Sequence, residues 1–236
     1  MLQQIGSFLT TEECDGLVSA LTASLPTFQT YNTPDFISIQ EYLQAQRNSG
    51  IFIDPPFTSY SWGTFGRGSR TQLFLDRTNS AVTSVISKLA AQTGLPAAHQ
   101  SRPLIFNYNS GDQYISRKDF FACLSTNKTQ ELSEVQDTSY FEWKKNFIQQ
   151  GGQRLKTLIV FLNDGYSGGD IEFSKIPLTI TPEKGKAVLF DVVQPGVTDL
   201  NGDLVADEDM EYSDNVVTSG SKYTLHIWIR EGVPAV

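Results

Sequence analysis

The sequence has few cysteines, no block of basic residues and no long apolar run. Its two cysteines, Cys14 and Cys123, lack the spacing of a metal site, so free thiols in a reducing cytosol are expected. Lysine and arginine total 18 against 26 acidic residues, which disfavours a nucleic-acid or anionic-membrane surface. No stretch approaches the roughly 18 apolar residues that span a bilayer, and no secretory signal pattern is present. We therefore expect a cytoplasmic protein.

Two amphipathic helices are predicted in the first 100 residues. SFLTTEECDGLVSALTASL offers Thr10 or Thr11 as the N-cap, and RTNSAVTSVISKLAAQTGLP offers Asn79 or Ser80, with Gly94 as its stop. Between them, DPPFTSYSWGTFGRGSR is rich in glycine, serine and aromatic residues. It fits an irregular surface segment and a substrate loop equally well.

After residue 100 the chain consists mainly of short β-branched and aromatic segments bounded by Gly, Pro, Asn or Asp. The segments are PLIFNYN, TLIVFLND, IPLTITP, GKAVLFDVV and KYTLHIWIRE, and one polar helix is expected around LSEVQDTSYFEWKKNFIQQGG. Two helices followed by many short strands indicate an α+β fold, with the helices on one face of an antiparallel barrel or sandwich.

Five segments occur in an order that resembles one enzyme family: YNSGDQY, GGQRLKTLIVFLND, GYSGGDIEF, PEKGKAVLFD and a closing GSKYTLHIWIRE. Over nearly its whole length the chain resembles the prolyl 4-hydroxylase-like branch of the Fe(II)/2-oxoglutarate dioxygenases. The resemblance implies a double-stranded β-helix (a cupin-like jelly-roll) with the N-terminal helices packed on one sheet. It implies a single domain over residues 1–236, with helical support and loops in 1–100 and the core in 101–236.

Such enzymes hold iron with two histidines and one carboxylate, and here both histidine positions carry other residues. The family's His-x-Asp pair corresponds to Arg117 and Asp119. The second histidine, ten residues before the basic residue Lys222, corresponds to Tyr212. Arginine has no lone pair for a metal, so we expect no Fe(II) at this site. Arg117, Asp119 and Tyr212 are instead candidate catalytic residues.

The family's clamp for the distal carboxylate of 2-oxoglutarate has counterparts in Tyr108, Thr157 and Lys222. An ammonium with two hydroxyls suits a carboxylate, because charge-assisted hydrogen bonds are strong. 2-Oxoglutarate or another carboxylate is thus a candidate ligand, although each residue alone also fits a structural role. Arg117 either grips the other end of such an acid without metal or pairs with Asp119 and closes the site.

Further residues are candidates for substrate binding: Tyr60, Trp62, Arg67, Arg70, His226 and Trp228. The first four are expected on the loop before the barrel. His226 and Trp228 share strand parity with Lys222 and are expected to point into the barrel. We expect His226 to be a satisfied core or pocket histidine, and His99, the other histidine, to lie on an exposed loop.

The segment DLNGDLVADEDMEYSD, residues 199–214, is strongly acidic. It is interpreted as a solvated acidic loop that precedes the strand of Tyr212, with weak calcium binding as the alternative. Leu204 and Met210 stand where a calcium loop requires glycine and a bidentate glutamate.

Three functions remain open. The first is a metal-independent enzyme of specialised metabolism, in which Arg117, Asp119 and Tyr212 catalyse cyclisation, isomerisation or elimination on a small-molecule or carrier-bound substrate. The second is a non-catalytic protein that binds 2-oxoglutarate or serves as a scaffold. The third is a 2-oxoglutarate-dependent oxidoreductase with an atypical metal site.

Overall fold

The computed structural model describes residues 1–24, 70–75, 77, 79–120, 151–200, 202 and 204–234. This part contains helices Thr11–Ser24 (α1) and Ser80–Thr93 (α2) and two short 3₁₀ turns, Ala97–His99 and Glu208–Met210. Its strands are β1 Leu2–Ile5, β2 Arg70–Phe74, β3 Leu104–Asn109, β4 Tyr114–Arg117, β5 Arg154–Phe161, β6 Ser167–Gly168, β7 Ile171–Phe173, β8 Leu178–Ile180, β9 Ala187–Asp191, β10 Val193–Thr198, β11 Leu204–Ala206, β12 Tyr212–Asp214, β13 Val217–Ser219 and β14 Ser221–Arg230. The helix expected around residues 132–152 lies almost wholly outside the described residues.

Both predicted helices begin at a capping residue named from the sequence. At α1 the Thr10 hydroxyl accepts from the Glu13 backbone N–H (3.2 Å) and the Glu13 carboxylate accepts from the Thr10 N–H (2.8 Å), a reciprocal capping box. At α2 the Asn79 side chain accepts from the Ala81 N–H, and Gly94 ends the helix in the left-handed region. Local capping chemistry therefore fixes both starts. Neither helix is long and apolar enough to cross a membrane, nor is any other helix of the described chain.

The strands form two principal antiparallel sheets. The larger has the order β1-β9-β5-β14-β3-β2, and the smaller has the order β4-β12-β7-β8. Two-stranded pairs, β10 with β11 and β6 with β13, complete the described sheet structure. The larger sheet holds the long strands, and the smaller one carries Arg117 and Tyr212 on its paired strands β4 and β12.

The two faces of the larger sheet bury different cores. On one face Leu158 and Val160 of β5 pack with the helices, whose buried residues include Leu17 and Leu89. On the other face Ile159 and Phe161 pack with residues of the smaller sheet. This alternation follows from the period of two along a strand. The helices thus cover one face, as predicted, and the candidate site lies between the two sheets.

The first 100 residues supply more than helices and loops. Strand β1 pairs with β9 and strand β2 pairs with β3, so both edges of the larger sheet come from this part of the chain. The part predicted as helical support and loops therefore also contributes strands to the sheet. The YNSGDQY segment turns at Gly111 (φ 93°), which joins β3 of the larger sheet to β4 of the smaller one.

Gly185 is expected to be intolerant of a side chain. Its φ is 81°, and an added Cβ would lie 2.3 Å from the Leu9 carbonyl oxygen, which is backbone and cannot swing away. We expect Gly185→Ala to lower the free energy of unfolding by about 2–4 kcal/mol, from strain and displacement together. The matched control is Gly196→Ala, since Gly196 has φ 72° and open space around it. Urea denaturation measures both variants. Equal losses in the free energy of unfolding would show that the contact between the added Cβ and the Leu9 carbonyl oxygen does not destabilise the protein.

Candidate functional site

Arg117 and Tyr212 are brought side by side. They lie opposite each other in the pairing of β4 with β12. The Arg117 guanidinium carbon lies 4.1 Å from the centre of the Tyr212 ring and 3.3 Å from that of Tyr114, so the cation is held between two aromatic rings. Counting back ten residues from Lys222 therefore identified the right neighbour of Arg117.

Asp119 is a buried carboxylate with several donors around it. Its Oδ2 accepts from the Thr157 hydroxyl (2.7 Å) and from the Tyr212 hydroxyl (3.0 Å), while Arg154 Nη1 lies 3.8 Å from Oδ1. Burial acts to raise the pKa of Asp119, but Arg154 and Arg117 outweigh it and hold the pKa below its ordinary value. Burial raises the pKa of Tyr212 well above its ordinary value. The proton therefore stays on Tyr212, and Asp119 is ionised.

Asp214 bridges the two cations that were expected to grip a ligand. Its Oδ2 lies 2.8 Å from Arg117 Nη2 and its Oδ1 lies 2.6 Å from Lys222 Nζ. Lys222 also donates to the Gly169 carbonyl oxygen (2.6 Å). Burial acts to raise the pKa of Asp214, yet Lys222 and Arg117 hold it far below its ordinary value. The ion pair of Arg117 with Asp214 was contained in neither alternative that the sequence left open.

The three residues of the expected carboxylate clamp are not assembled. Lys222 and Tyr108 lie opposite each other on β14 and β3, with Lys222 Nζ 5.0 Å from the Tyr108 ring centre. Thr157 instead lies opposite Trp228, six positions along β14 from Lys222. At about 3.3 Å per residue that separation is roughly 20 Å. Thr157 is thus a hydrogen-bond donor to Asp119 rather than a neighbour of Lys222.

His226 and Trp228 point into the space between the sheets, as strand parity predicts. The Arg154 guanidinium lies 4.0 Å over the Trp228 ring. His226 is fully buried, and its Nε2 lies 3.1 Å from the Thr224 hydroxyl oxygen.

Of the four residues predicted to bind substrate from the loop before the barrel, the structure describes only Arg70. Tyr60, Trp62 and Arg67 lie outside the described residues. Arg70 is the first residue of β2 rather than part of a loop, because its backbone pairs with Tyr108.

Two expectations about polar residues are wrong. His99 is half-buried in a 3₁₀ turn, and its Nδ1 lies 3.2 Å from the Arg230 carbonyl oxygen, so it is not an exposed loop residue. The acidic segment before Tyr212 is not all a solvated loop, since it includes β11 and a 3₁₀ turn. Asp214, which follows on β12, is only 1% exposed.

Sequence reasoning also missed the roles of Asp214, Arg154 and Thr224. Asp214 had an available signal: it stands two residues after Tyr212 on one strand and therefore faces the same side. The same parity relates Thr224 to Lys222 and His226 on β14. Arg154 carried no local signal, because its contact with Asp119 depends on how β5 lies against the end of β4.

Buried His226 is expected to make the protein sensitive to mild acid. Burial lowers the pKa of His226 to about 3 in the folded state, whereas the unfolded chain protonates it near the ordinary value of about 6.5. The neutral His226 side chain therefore contributes its full share of the stability above about pH 6.5, and this share is lost as the pH falls toward 3. Between pH 6 and 5 we expect the free energy of unfolding to fall by about 1 kcal/mol.

Urea denaturation at several pH values measures this dependence, with two variants for comparison. His226→Phe should remove the slope between pH 6 and 5, and His99→Gln should keep it. If the free energy of unfolding of His226→Phe still fell between pH 6 and 5 as in the wild type, groups other than His226 would cause the pH dependence.

The curated proteins that are similar in sequence are described as prolyl 4-hydroxylases. No protein-family model matches the chain. A putative prolyl 4-hydroxylase of Acanthamoeba polyphaga mimivirus is 23% identical over 160 residues, 68% of this chain. Probable prolyl 4-hydroxylase 9 of Arabidopsis thaliana is 25% identical over 228 residues, 95% of this chain. The chain spans 57% of the length of the first relative and 67% of the second.

Solved structures are similar over almost the whole chain. The viral collagen prolyl hydroxylase of Paramecium Bursaria Chlorella virus-1, in complex with 2-oxoglutarate, aligns with a TM-score of 0.57 and 20% identity, covering 97% of this chain and 95% of that one. A Pseudomonas putida prolyl-4-hydroxylase aligns with a TM-score of 0.50 and 12% identity, covering 97% and 91%. In the described residues, no group of three His, Cys, Asp or Glu side chains could hold a metal ion. The predicted α+β jelly-roll is confirmed, and the chain is a dioxygenase-fold protein that resembles the prolyl 4-hydroxylase-like branch.

Proposed function

We propose that this protein is a metal-independent binding protein on the dioxygenase fold, and that it does not hydroxylate through a triad-bound iron. The observation that carries the proposal is the position of Asp214, which bridges Arg117 and Lys222 at 2.8 and 2.6 Å. By resemblance, Lys222 is the residue that would hold the distal carboxylate of 2-oxoglutarate. In this protein the Asp214 carboxylate already forms an ion pair with Lys222.

The chemistry of the three triad positions supports the absence of iron. The Arg117 guanidinium has no lone pair and carries a positive charge, which repels Fe(II). Tyr212 is protonated and donates to Asp119, so its oxygen is not a phenolate ligand. Asp119 already accepts from Thr157 and faces Arg154. These three side chains do not fit a ferrous ion.

The same geometry disfavours 2-oxoglutarate as the natural ligand. Lys222 and Asp214 are both fully buried and hydrogen-bonded to each other, so an incoming carboxylate has to displace an existing ion pair. Displacement leaves the Asp214 charge buried without that partner, at a cost of several kcal/mol. The 2-oxoglutarate in a structural neighbour belongs to that enzyme, and the test below includes it as a ligand.

The test is anaerobic loading of the purified protein with Fe(II), followed by gel filtration and metal quantification by mass spectrometry. We expect no iron above background, no change in melting temperature with 2-oxoglutarate, and no succinate formed from 2-oxoglutarate and oxygen. The Chlorella virus hydroxylase is the positive control. One iron per chain together with succinate formation would instead establish an oxidoreductase with an atypical metal site.

A second candidate is metal-independent acid–base catalysis, favoured by the direct Tyr212–Asp119 hydrogen bond of 3.0 Å beside the Arg117 cation. In this reading Asp119 takes a proton from the substrate, Tyr212 returns one, and Arg117 stabilises an oxyanion. This second candidate would be supported if Tyr212→Phe and Asp119→Asn both turned over a candidate substrate more slowly than the wild type while still binding it. If the wild type, Tyr212→Phe and Asp119→Asn all bound the substrate equally and none turned it over, only the binding function would be supported.

A further inference from the structure

The Asp214 carboxylate is held in the way that a bound acid would be held. Its two oxygens have different partners, since Oδ1 lies 2.6 Å from Lys222 Nζ and Oδ2 lies 2.8 Å from Arg117 Nη2. Contacts of this length between a carboxylate and a cation are charge-assisted hydrogen bonds, which are strong. Among the described residues, no other carboxylate forms an ion pair with Lys222. Each oxygen of Asp214 therefore contacts a cation of its own.

Lys222 is positioned by contacts that do not involve Asp214. Its Nζ also donates to the Gly169 carbonyl oxygen (2.6 Å) and lies 5.0 Å from the centre of the Tyr108 ring. Its stem packs on the Gly169 backbone, because a Cβ added at Gly169 would lie 3.0 Å from Lys222 Cδ. We therefore expect the ammonium group to keep its place when the Asp214 side chain is shortened.

Arg117 is also positioned by neighbours other than Asp214. Its guanidinium carbon lies 3.3 Å from the ring centre of Tyr114 and 4.1 Å from that of Tyr212. Aromatic rings beside a guanidinium attract its charge and restrict its orientation. Two positioned cations thus remain beside the space that the Asp214 carboxylate fills.

That space is enclosed and is filled by the Asp214 side chain itself. The Asp214 backbone is fixed on both sides, because it pairs with Tyr114 of β4 and with Ile171 of β7. The side chains of Asp214 and Lys222 are fully buried, and that of Arg117 is 10% exposed. Truncation at position 214 therefore leaves a small closed cavity, into which only a very short acid such as formate fits.

We infer that Lys222 and Arg117 form a carboxylate-binding site whose ligand is part of the chain, and that Asp214 is the specificity-determining residue that keeps free acids out. This inference rests on the proposed function, because it names what the binding protein excludes from this position. In the wild type a free acid competes with a carboxylate that is attached beside the two cations and has a high effective concentration there. Without the Asp214 carboxylate, the two cations are buried without their shared partner, and a free monocarboxylate can replace it.

The test is urea denaturation of Asp214→Ala in formate, with chloride at the same ionic strength as the reference. Formate supplies the deleted carboxylate without the rest of the side chain. We expect about 0.1 M formate to lower the unfolding equilibrium constant of Asp214→Ala by about tenfold, as for a ligand with a dissociation constant of about 10 mM. The wild type, in which Asp214 occupies the site, should show no such change.

The experiment also decides the matter if Asp214→Ala does not fold in chloride. The expected result is then recovery of the native circular dichroism spectrum when the variant is refolded in formate. A variant that stays unfolded in formate overturns the inference.

Three controls make the result specific. Formamide has nearly the size of formate without its charge, and it should not stabilise Asp214→Ala. Asp214→Ala combined with Lys222→Met should not respond to formate, because one of the two cations is gone. Glu208→Gln, which removes an exposed ion pair with Lys118, should behave as the wild type does. Equal stabilisation of Asp214→Ala and the wild type would indicate a general salt effect, and an undiminished response in the double variant would place the acid elsewhere; either result overturns the inference.

2-Oxoglutarate at the same concentration should stabilise Asp214→Ala less than formate does, because the closed cavity takes a single short acid. Greater stabilisation by 2-oxoglutarate would overturn the inference, since the site would then hold a whole dicarboxylate. Failure of this inference can be told apart from failure of the proposed function. Stoichiometric Fe(II) with succinate formation by the wild type overturns the proposed function, whereas a missing formate response in Asp214→Ala overturns only the role inferred for Asp214.

Discussion

Replacing Asp214 with alanine is expected to lower the free energy of unfolding by about 3–5 kcal/mol, the largest loss we predict for a single residue. The carboxylate is 1% exposed and binds Arg117 and Lys222, so its removal leaves two cations in the interior without their shared partner. Desolvation of those cations, rather than the loss of favourable contacts alone, sets the size of the effect. Urea denaturation monitored by circular dichroism measures it.

Two comparisons make the result specific. Glu208→Gln removes an exposed ion pair with Lys118 and is expected to cost less than about 1 kcal/mol. Asp214→Leu combined with Lys222→Met removes one cation along with the carboxylate and should recover part of the loss. If Asp214→Ala proved no less stable than Glu208→Gln, the bridge would not be a partner for two buried charges, and the proposed function would lose its support.

Replacing both Arg117 and Tyr212 with histidine is expected to create a site for a divalent transition metal, which we expect the wild-type protein not to bind at these positions. The two positions are cross-strand neighbours on β4 and β12, and Asp119 lies within hydrogen-bond reach of the residue at 212. Two imidazoles and one carboxylate suit Fe(II) and Co(II). The substitution also removes the guanidinium that repels a cation, and Lys222 stays with Asp214.

Metal content after anaerobic loading and the visible absorption of Co(II) measure the gain. We expect one metal per chain in the double-histidine variant and none in the wild type. The matched control is Arg117→Gln with Tyr212→Phe, which removes the charge and the phenol without supplying imidazole. A double-histidine variant that stays metal-free while remaining folded would show that these positions do not correspond to the family's iron ligands.

Local features of this protein could be predicted from its sequence because their causes are local. The caps at Thr10 and Asn79, the stop at Gly94, and the inward direction of His226 and Trp228 all follow from a few neighbouring residues. The pairing of Arg117 with Tyr212 came from motif spacing, which carries the register of two distant strands.

Contacts that depend on several strands at once could not be predicted. Thr157 was grouped with Lys222, but the antiparallel register of β5 and β14 sets it opposite Trp228. Asp214 was counted only as one of several acidic residues in its segment, and only the sheet shows that it faces two cations. Register is decided by packing between elements far apart in sequence, which composition and periodicity do not report.

The two edge strands of the larger sheet have a consequence for synthesis of the chain. Strand β1 leaves the ribosome before its partner β9, since Leu2 lies opposite Phe190, and the central strand β14 follows later still. Until then α1 and α2 have no completed sheet to cover, and their apolar faces stay open to other chains. Contacts of such long sequence separation also slow folding. The nascent protein is therefore most prone to aggregate before β14 emerges, and slower translation of residues 100–230 prolongs that exposure.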